Sequence, residues 1–102
     1  MVSDFLKHGA ENACSTSELV RLTGAKSARE LQIQIARERN NGALIISTCL
    51  NGGGYFLPDD GEKGKREIEG FVRTLQSRVL NTLKAVQVAK KALQDIDGQL
   101  EI

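Results

Sequence analysis

The stretch GALIISTCLNGGGYFLP, Gly42 to Pro58, holds two short apolar runs on either side of Asn51-Gly52-Gly53-Gly54. The first, Ala43 to Thr48, is rich in the β-branched side chains that fit a pleated, half-buried surface. The second is Tyr55-Phe56-Leu57, closed by Pro58. Asn-Gly is the strongest short hairpin signal, and two further glycines admit positive φ at the tip. The stretch therefore reads as a two-stranded hairpin. A lone hairpin is marginal in water and needs something to pack on, so the residues on either side decide the fold.

Upstream lie two helix starts. Ser15-Thr16-Ser17-Glu18 is a capping-box pattern, in which the Ser15 hydroxyl accepts from the Glu18 amide and Glu18 reaches back. The helix it opens carries Leu19, Val20 and Leu22 and stops at Gly24, a residue suited to the left-handed conformation after a helix. Ser27 and Glu30 repeat the pattern, and a second helix is expected over Ala28 to Asn40, with Asn41-Gly42 as its stop. Two short-linked helices form a helix-turn-helix. Val2, Phe5 and Leu6 add one or two helical turns before Gly9, and Gly9 to Cys14 is a connector. Helix, helix-turn-helix and hairpin follow one another in the order of a winged helix. The fold class read here is mainly α with a small β-hairpin (α+β).

At 100° per residue the second helix separates two faces. Leu31 and Ile35, flanked by Ala28, turn to the core. Arg29, Ile33, Arg37 and Asn40 lie opposite, with Lys26, Gln32 and Ala36 at the margins. Glu38 projects close to Leu31, where a leucine would be comfortable. Because an unpaired buried carboxylate is costly, either partial exposure or an arginine partner, Arg21 or Arg66, is expected.

Downstream, Asp59 to Gly64 reads as a polar linker, and from Lys65 the apolar residues follow a heptad. One seam position holds Val72, Val79, Val86, Leu93 and Leu100; the other holds Ile68, Leu75, Thr82, Ala89 and Ile96. A helix of roughly 30 residues extends about 45 Å, too long for one small domain to cover. A second copy of the chain is the simplest cover. Residues Ile68, Val72, Leu75, Val79, Val86, Leu93 and Ile96 are the expected dimerisation residues. Phe71, Leu80, Leu83 and Val88 widen the stripe enough for higher homo-oligomers. The seam has no Asn to fix orientation, so parallel and antiparallel pairing both stand open. The organisation is thus 1–58 winged helix-turn-helix, 59–64 linker and 65–102 long dimerisation helix.

Composition narrows the classes. The chain has 102 residues, 40% hydrophobic and 26% charged, with a net charge of +1, which reads as one globular domain with an appended element. Basic residues are not in general excess, although Lys26, Arg29, Arg37 and Arg39 outnumber Glu30 and Glu38 between residues 26 and 41. Cys14 and Cys49 lack CxxC spacing and read as reduced thiols, giving no metal site. No apolar run reaches the ~20 residues of a membrane span, and the first residues do not resemble a signal peptide, so a cytoplasmic protein without membrane contact is expected. His8 has no recognisable nucleophile partner, and Asp59-Asp60 suits the cap of the next helix better than a metal. Neither an enzyme nor a cofactor is expected.

The run from Ser15 to Pro58 resembles the winged helix-turn-helix DNA-binding domains of the biotin-repressor N-terminal type, and looks like small DNA-binding proteins of bacterial prophages. The features that carry the resemblance are SxxE…LTG, SARELQIQI and GALI…NGGGYFLP. It implies a dimeric transcription regulator that binds double-stranded DNA, with the second helix in the major groove and the hairpin near an adjacent groove. By position it nominates Lys26, Ser27, Arg29, Gln32, Ile33 and Arg37 on the helix, and Asn51 and Gly53 on the wing. Two features depart from the pattern: Glu38 at a core position, and a hairpin without Lys or Arg. The uncharged hairpin, the weak net charge and Ile33 suit the alternative of a protein-interaction or assembly module built on the same fold.

Overall fold

The computed structural model describes residues 1–100, with the side chains of Asn51, Gln99 and Leu100 outside the described set. The chain divides into two compact units, Met1–Phe71 and a second that begins at Val72. The fold is mainly α with a two-stranded antiparallel hairpin and a long C-terminal helix.

In the first unit, a 3-10 turn over Val2–Phe5 and another over Ala10–Asn12 precede α1, Thr16–Thr23, and α2, Ala28–Asn40. Both α-helices begin as their serines require: Ser15 Oγ accepts from Glu18 N at 3.2 Å and Ser27 Oγ from Glu30 N at 3.1 Å. The return half of the first box is replaced, because the Glu18 carboxylate pairs with Arg21 one turn on. Gly24, at φ +74°, ends α1, and its N–H donates to the Val20 carbonyl. Asn41 and Gly42 close α2 by donating to carbonyls of its last turn.

The hairpin is shorter than its apolar runs: β1 is Ile46–Thr48 and β2 is Gly54–Phe56, paired Ile46 to Phe56, Ser47 to Tyr55 and Thr48 to Gly54. A 3-10 turn over Leu50–Gly52 forms the tip instead of a two-residue turn. Residues 43–45 are not strand because the chain is still leaving α2 there, and Ile45 is spent on the core. The free edge of β2 is not left open. Cys14 and Tyr55 exchange two backbone hydrogen bonds at 2.8 and 2.9 Å, and Leu57 bonds to Lys7 and Gly9. The connector before α1 thus blunts an edge that would otherwise recruit another strand. Gly54 must be glycine, since a Cβ there would lie 2.7 Å from the Cys14 carbonyl oxygen.

Val2, Leu6, Leu19, Leu31, Ile35 and Ile45 form one core, and Ile46, Phe56 and Phe71 a second, with Ile68 packed against it. Ala28, expected beside Leu31, is exposed instead. Glu38 corrects a larger expectation. It is 2% exposed, and amide donors take the place expected of Arg21 or Arg66. Its carboxylate accepts from Val2 N at 2.7 Å, Ser3 N at 3.0 Å and Gln34 Nε2 at 3.1 Å. The first turn of the 3-10 segment has orphan amides, and the carboxylate satisfies them. Burial, the largest single influence, pushes this carboxyl upward; the donors Ser3, Val2 and Gln34 together outweigh it and hold it below the usual carboxylate range.

Helix α3, Gly61–Leu100, starts inside the expected linker. Asp59 and Glu67 explain the early start. Asp59 Oδ1 accepts from Asp60 N at 2.8 Å, and Glu67 accepts from Asp59 N at 2.9 Å and Ala10 N at 2.8 Å. Lys63 bridges Glu11 and Asp59. The first turns of α3 are therefore part of the first unit, and Ile68 and Phe71 serve its core. Ile68, expected in the dimerisation seam, is covered by its own chain.

Candidate nucleic-acid interface

The outer face of α2 is built by what holds its inner face. Leu31, Ile35 and Glu38 are buried under the N-terminal turn and α1, which leaves Arg29, Gln32, Ile33 and Arg37 exposed on the opposite side. Lys26 and Ser27, at the start of the helix, are exposed as well. Ile33 keeps 47% of its surface in solvent, at the centre of an otherwise polar face. Among the described residues, Lys26, Arg29 and Arg37 make no ion pair within the chain. Lys26 and Arg29 thus lie by the positive N-terminal end of the α2 dipole, and Arg37 extends the basic face into the last turn of the helix.

Arg39 does not belong to that surface. It turns inward, donating Nε–H to the Ile45 carbonyl at 2.9 Å, with its guanidinium 5.1 Å from the centre of the Phe71 ring. The local basic excess read from residues 26–41 is therefore smaller at the surface than in the sequence.

A groove of 520 Å³ runs along one margin of this face, between α2 and the N-terminal turn, lined by Met1, Phe5, Gly24, Glu30, Ile33, Gln34 and Arg37 among others. Met1 and Phe5 are additions to the residues that sequence reasoning nominates. Their signal is the amphipathic start of the chain, but nothing local says that Val2 and Leu6 pin that turn beside α2. The exposed edge of the turn carries Asp4, which holds the terminal ammonium at 3.2 Å.

The hairpin tip offers less than its glycines suggest. The Gly53 N–H donates to the Leu50 carbonyl at 3.0 Å, and Gly54 is buried against Cys14. Gly53 therefore has no spare N–H for a phosphate, while Gly52 is exposed. The Asn51 side chain lies outside the described residues. Leu50, 70% exposed, is the most prominent side chain of the tip. The tip thus carries no charged residue, and the helix carries the charge.

Among the described residues, no group of His, Cys, Asp or Glu side chains is arranged to hold a metal ion, and no helix is long and apolar enough to cross a membrane. Cys14 and Cys49 are free thiols. Comparison with known protein families, curated proteins and solved structures finds no match to this chain.

Proposed function

We propose that this chain is a dimeric winged-helix DNA-binding protein, a transcription regulator of bacterial or prophage type, that lays α2 in the major groove. The observation that carries the reading is the outer face of α2: Lys26, Arg29 and Arg37 exposed and, among the described residues, outside any intramolecular ion pair, around Gln32 and Ile33. In a helix-turn-helix the N-terminal part of the second helix reaches base edges. Arg can pair bidentately with guanine, Gln with adenine, and an aliphatic group can touch the thymine methyl. The homodimer forms through the exposed seam of α3 from Val72 onward, and neither catalysis nor a cofactor has a role. Fluorescence anisotropy with a random-sequence duplex, titrated from low to physiological salt, tests it. Binding that weakens steeply with salt supports the reading; absence of binding by the folded protein at low salt removes it.

One observation favours a second reading, an assembly module. Met1, Phe5 and Ile33 place apolar surface along the same groove, and the hairpin tip adds Leu50 instead of a cation. In that case Ile33→Asp abolishes capture of a protein partner and leaves folding intact, while duplex DNA is not bound.

A further inference from the structure

From Val72 to Gly98 every residue of α3 is exposed, including Val72, Leu75, Val79, Leu83, Val86, Leu93 and Ile96. Side by side, Val72, Leu75, Gln76, Val79 and Leu80 line a shallow apolar groove on the helix. A contiguous apolar stripe of this length needs a cover. We infer that a second copy of the chain covers it in the antiparallel direction, centred on Lys84. This rests on the homodimer reading given above and adds the orientation, which the absence of a seam Asn leaves open.

The occupant follows from self-complementarity of the stripe. With Val72, Val79, Val86 and Leu93 at one seam position and Leu75, Thr82, Ala89 and Ile96 at the other, the two pairing modes produce different layers. A parallel, in-register pair sets each residue against its own copy. Ala89 then meets Ala89 and leaves a gap between the Val86 and Leu93 layers, and Thr82 meets Thr82 in an apolar seam. An antiparallel pair sets each position against the other. Val72 meets Ile96, Leu75 meets Leu93, Val79 meets Ala89, and Thr82 meets Val86. Every layer now contains at least one branched aliphatic residue, and the two small residues each face a valine. Large facing small is how a core reaches native density without voids. Shifting this alignment by one heptad in either direction leaves two of the eight seam residues without partners.

The flanks give the same answer independently. In a parallel pair Leu83, beside the seam, faces Arg78 of the second copy. In the antiparallel pair Leu83 faces Leu83 across the two-fold axis, with Leu80 next to it, and Ala85 faces Ala85 on the other side. Lys90 faces Gln76, and Arg78 faces Ala92. The apolar widening at Leu80 and Leu83 is thereby buried at the centre of the pair, while Asp97 meets Glu69 toward either end. The two Val72 residues, where the N-terminal units join this stretch, end up roughly 36 Å apart along the pair at ~1.5 Å per residue.

The test is a pair of spin-label distances in the full chain, with Cys14→Ala and Cys49→Ser to remove the native thiols and circular dichroism to confirm folding. Arg73→Cys and Lys84→Cys are labelled in turn. An antiparallel pair gives its smaller distance at 84, set by the width of the pair alone, and a larger one at 73, where an axial offset of roughly 33 Å combines in quadrature with that width, since residue 73 is level with residue 95 of the second copy. Similar short distances at both sites mean parallel pairing and overturn the inference. No dipolar coupling at 84 means that helices do not pair at this register, and overturns it too. Failure of duplex binding leaves these distances unchanged, so the orientation and the DNA reading fail separately.

Discussion

The carboxylate of Glu38, near the end of α2, accepts the backbone N–H of Val2 at 2.7 Å, thirty-six residues earlier in the chain. The bond fastens the N-terminal turn across the helix whose opposite face is the candidate interface. Glu38→Ala removes the acceptor and strands two amides, lowering stability by roughly 1–3 kcal/mol. Urea unfolding of the two proteins at neutral pH measures this, and an unchanged midpoint would show that the turn is held by Val2 and Leu6 alone.

The same carboxylate makes stability depend on pH with a definite sign. Its folded-state pKa lies below the ordinary value near 4.3. The contribution is therefore complete above that ordinary value and fades as pH falls through the lower folded-state one. Urea midpoints taken from pH 7 down to pH 3 should fall in the wild type. The fall should be shallower in Glu38→Gln, which no longer titrates; equal slopes would assign the acid sensitivity to other carboxylates.

Two glycines of α3 should respond in opposite directions to alanine. At Gly64 a Cβ would lie 1.7 Å from the Asp59 carbonyl oxygen, a backbone atom with little freedom to move. Gly64→Ala should lower Tm, the clash exceeding the ~1 kcal/mol that alanine gains over glycine inside a helix. Gly98 has nothing near it, and Gly98→Ala should leave Tm unchanged or raise it. A Gly64→Ala protein as stable as wild type would show that the chain from Pro58 into α3 takes another path.

Ile33 separates the two functional readings. Half exposed and outside both cores, it tolerates Ile33→Asp within about 0.5 kcal/mol of stability. The added carboxylate should weaken duplex binding if α2 enters a groove, through repulsion from phosphates and removal of the apolar group. Equal DNA affinity for the two proteins would place Ile33 outside that interface.

What the sequence conveyed was local. The bounds of α2 are legible because Ser27 and Asn41-Gly42 act on their immediate neighbours, and the hairpin is legible from its glycines. The fate of Glu38 is not, since its partners are amides that only the returning N-terminal turn brings to it. Ile68 and Phe71 fail for a related reason. The heptad runs without a break from residues covered by their own chain to residues left exposed, and periodicity does not say which partner covers a stripe. At the candidate site the helical wheel correctly turns Arg29, Ile33 and Arg37 outward. It places Ala28 wrongly, and charge counting cannot see Arg39 turn under the Phe71 ring.

The outer face of α2 is proposed to meet DNA through Arg29 and Arg37. Duplex anisotropy across a salt titration, comparing wild type with Arg29→Ala/Arg37→Ala, tests it most directly. Both arginines are exposed, so the double variant should fold normally, bind more weakly, and show a salt slope smaller by about one for each phosphate it no longer neutralises. Equal affinity and equal slope for the two proteins would contradict it.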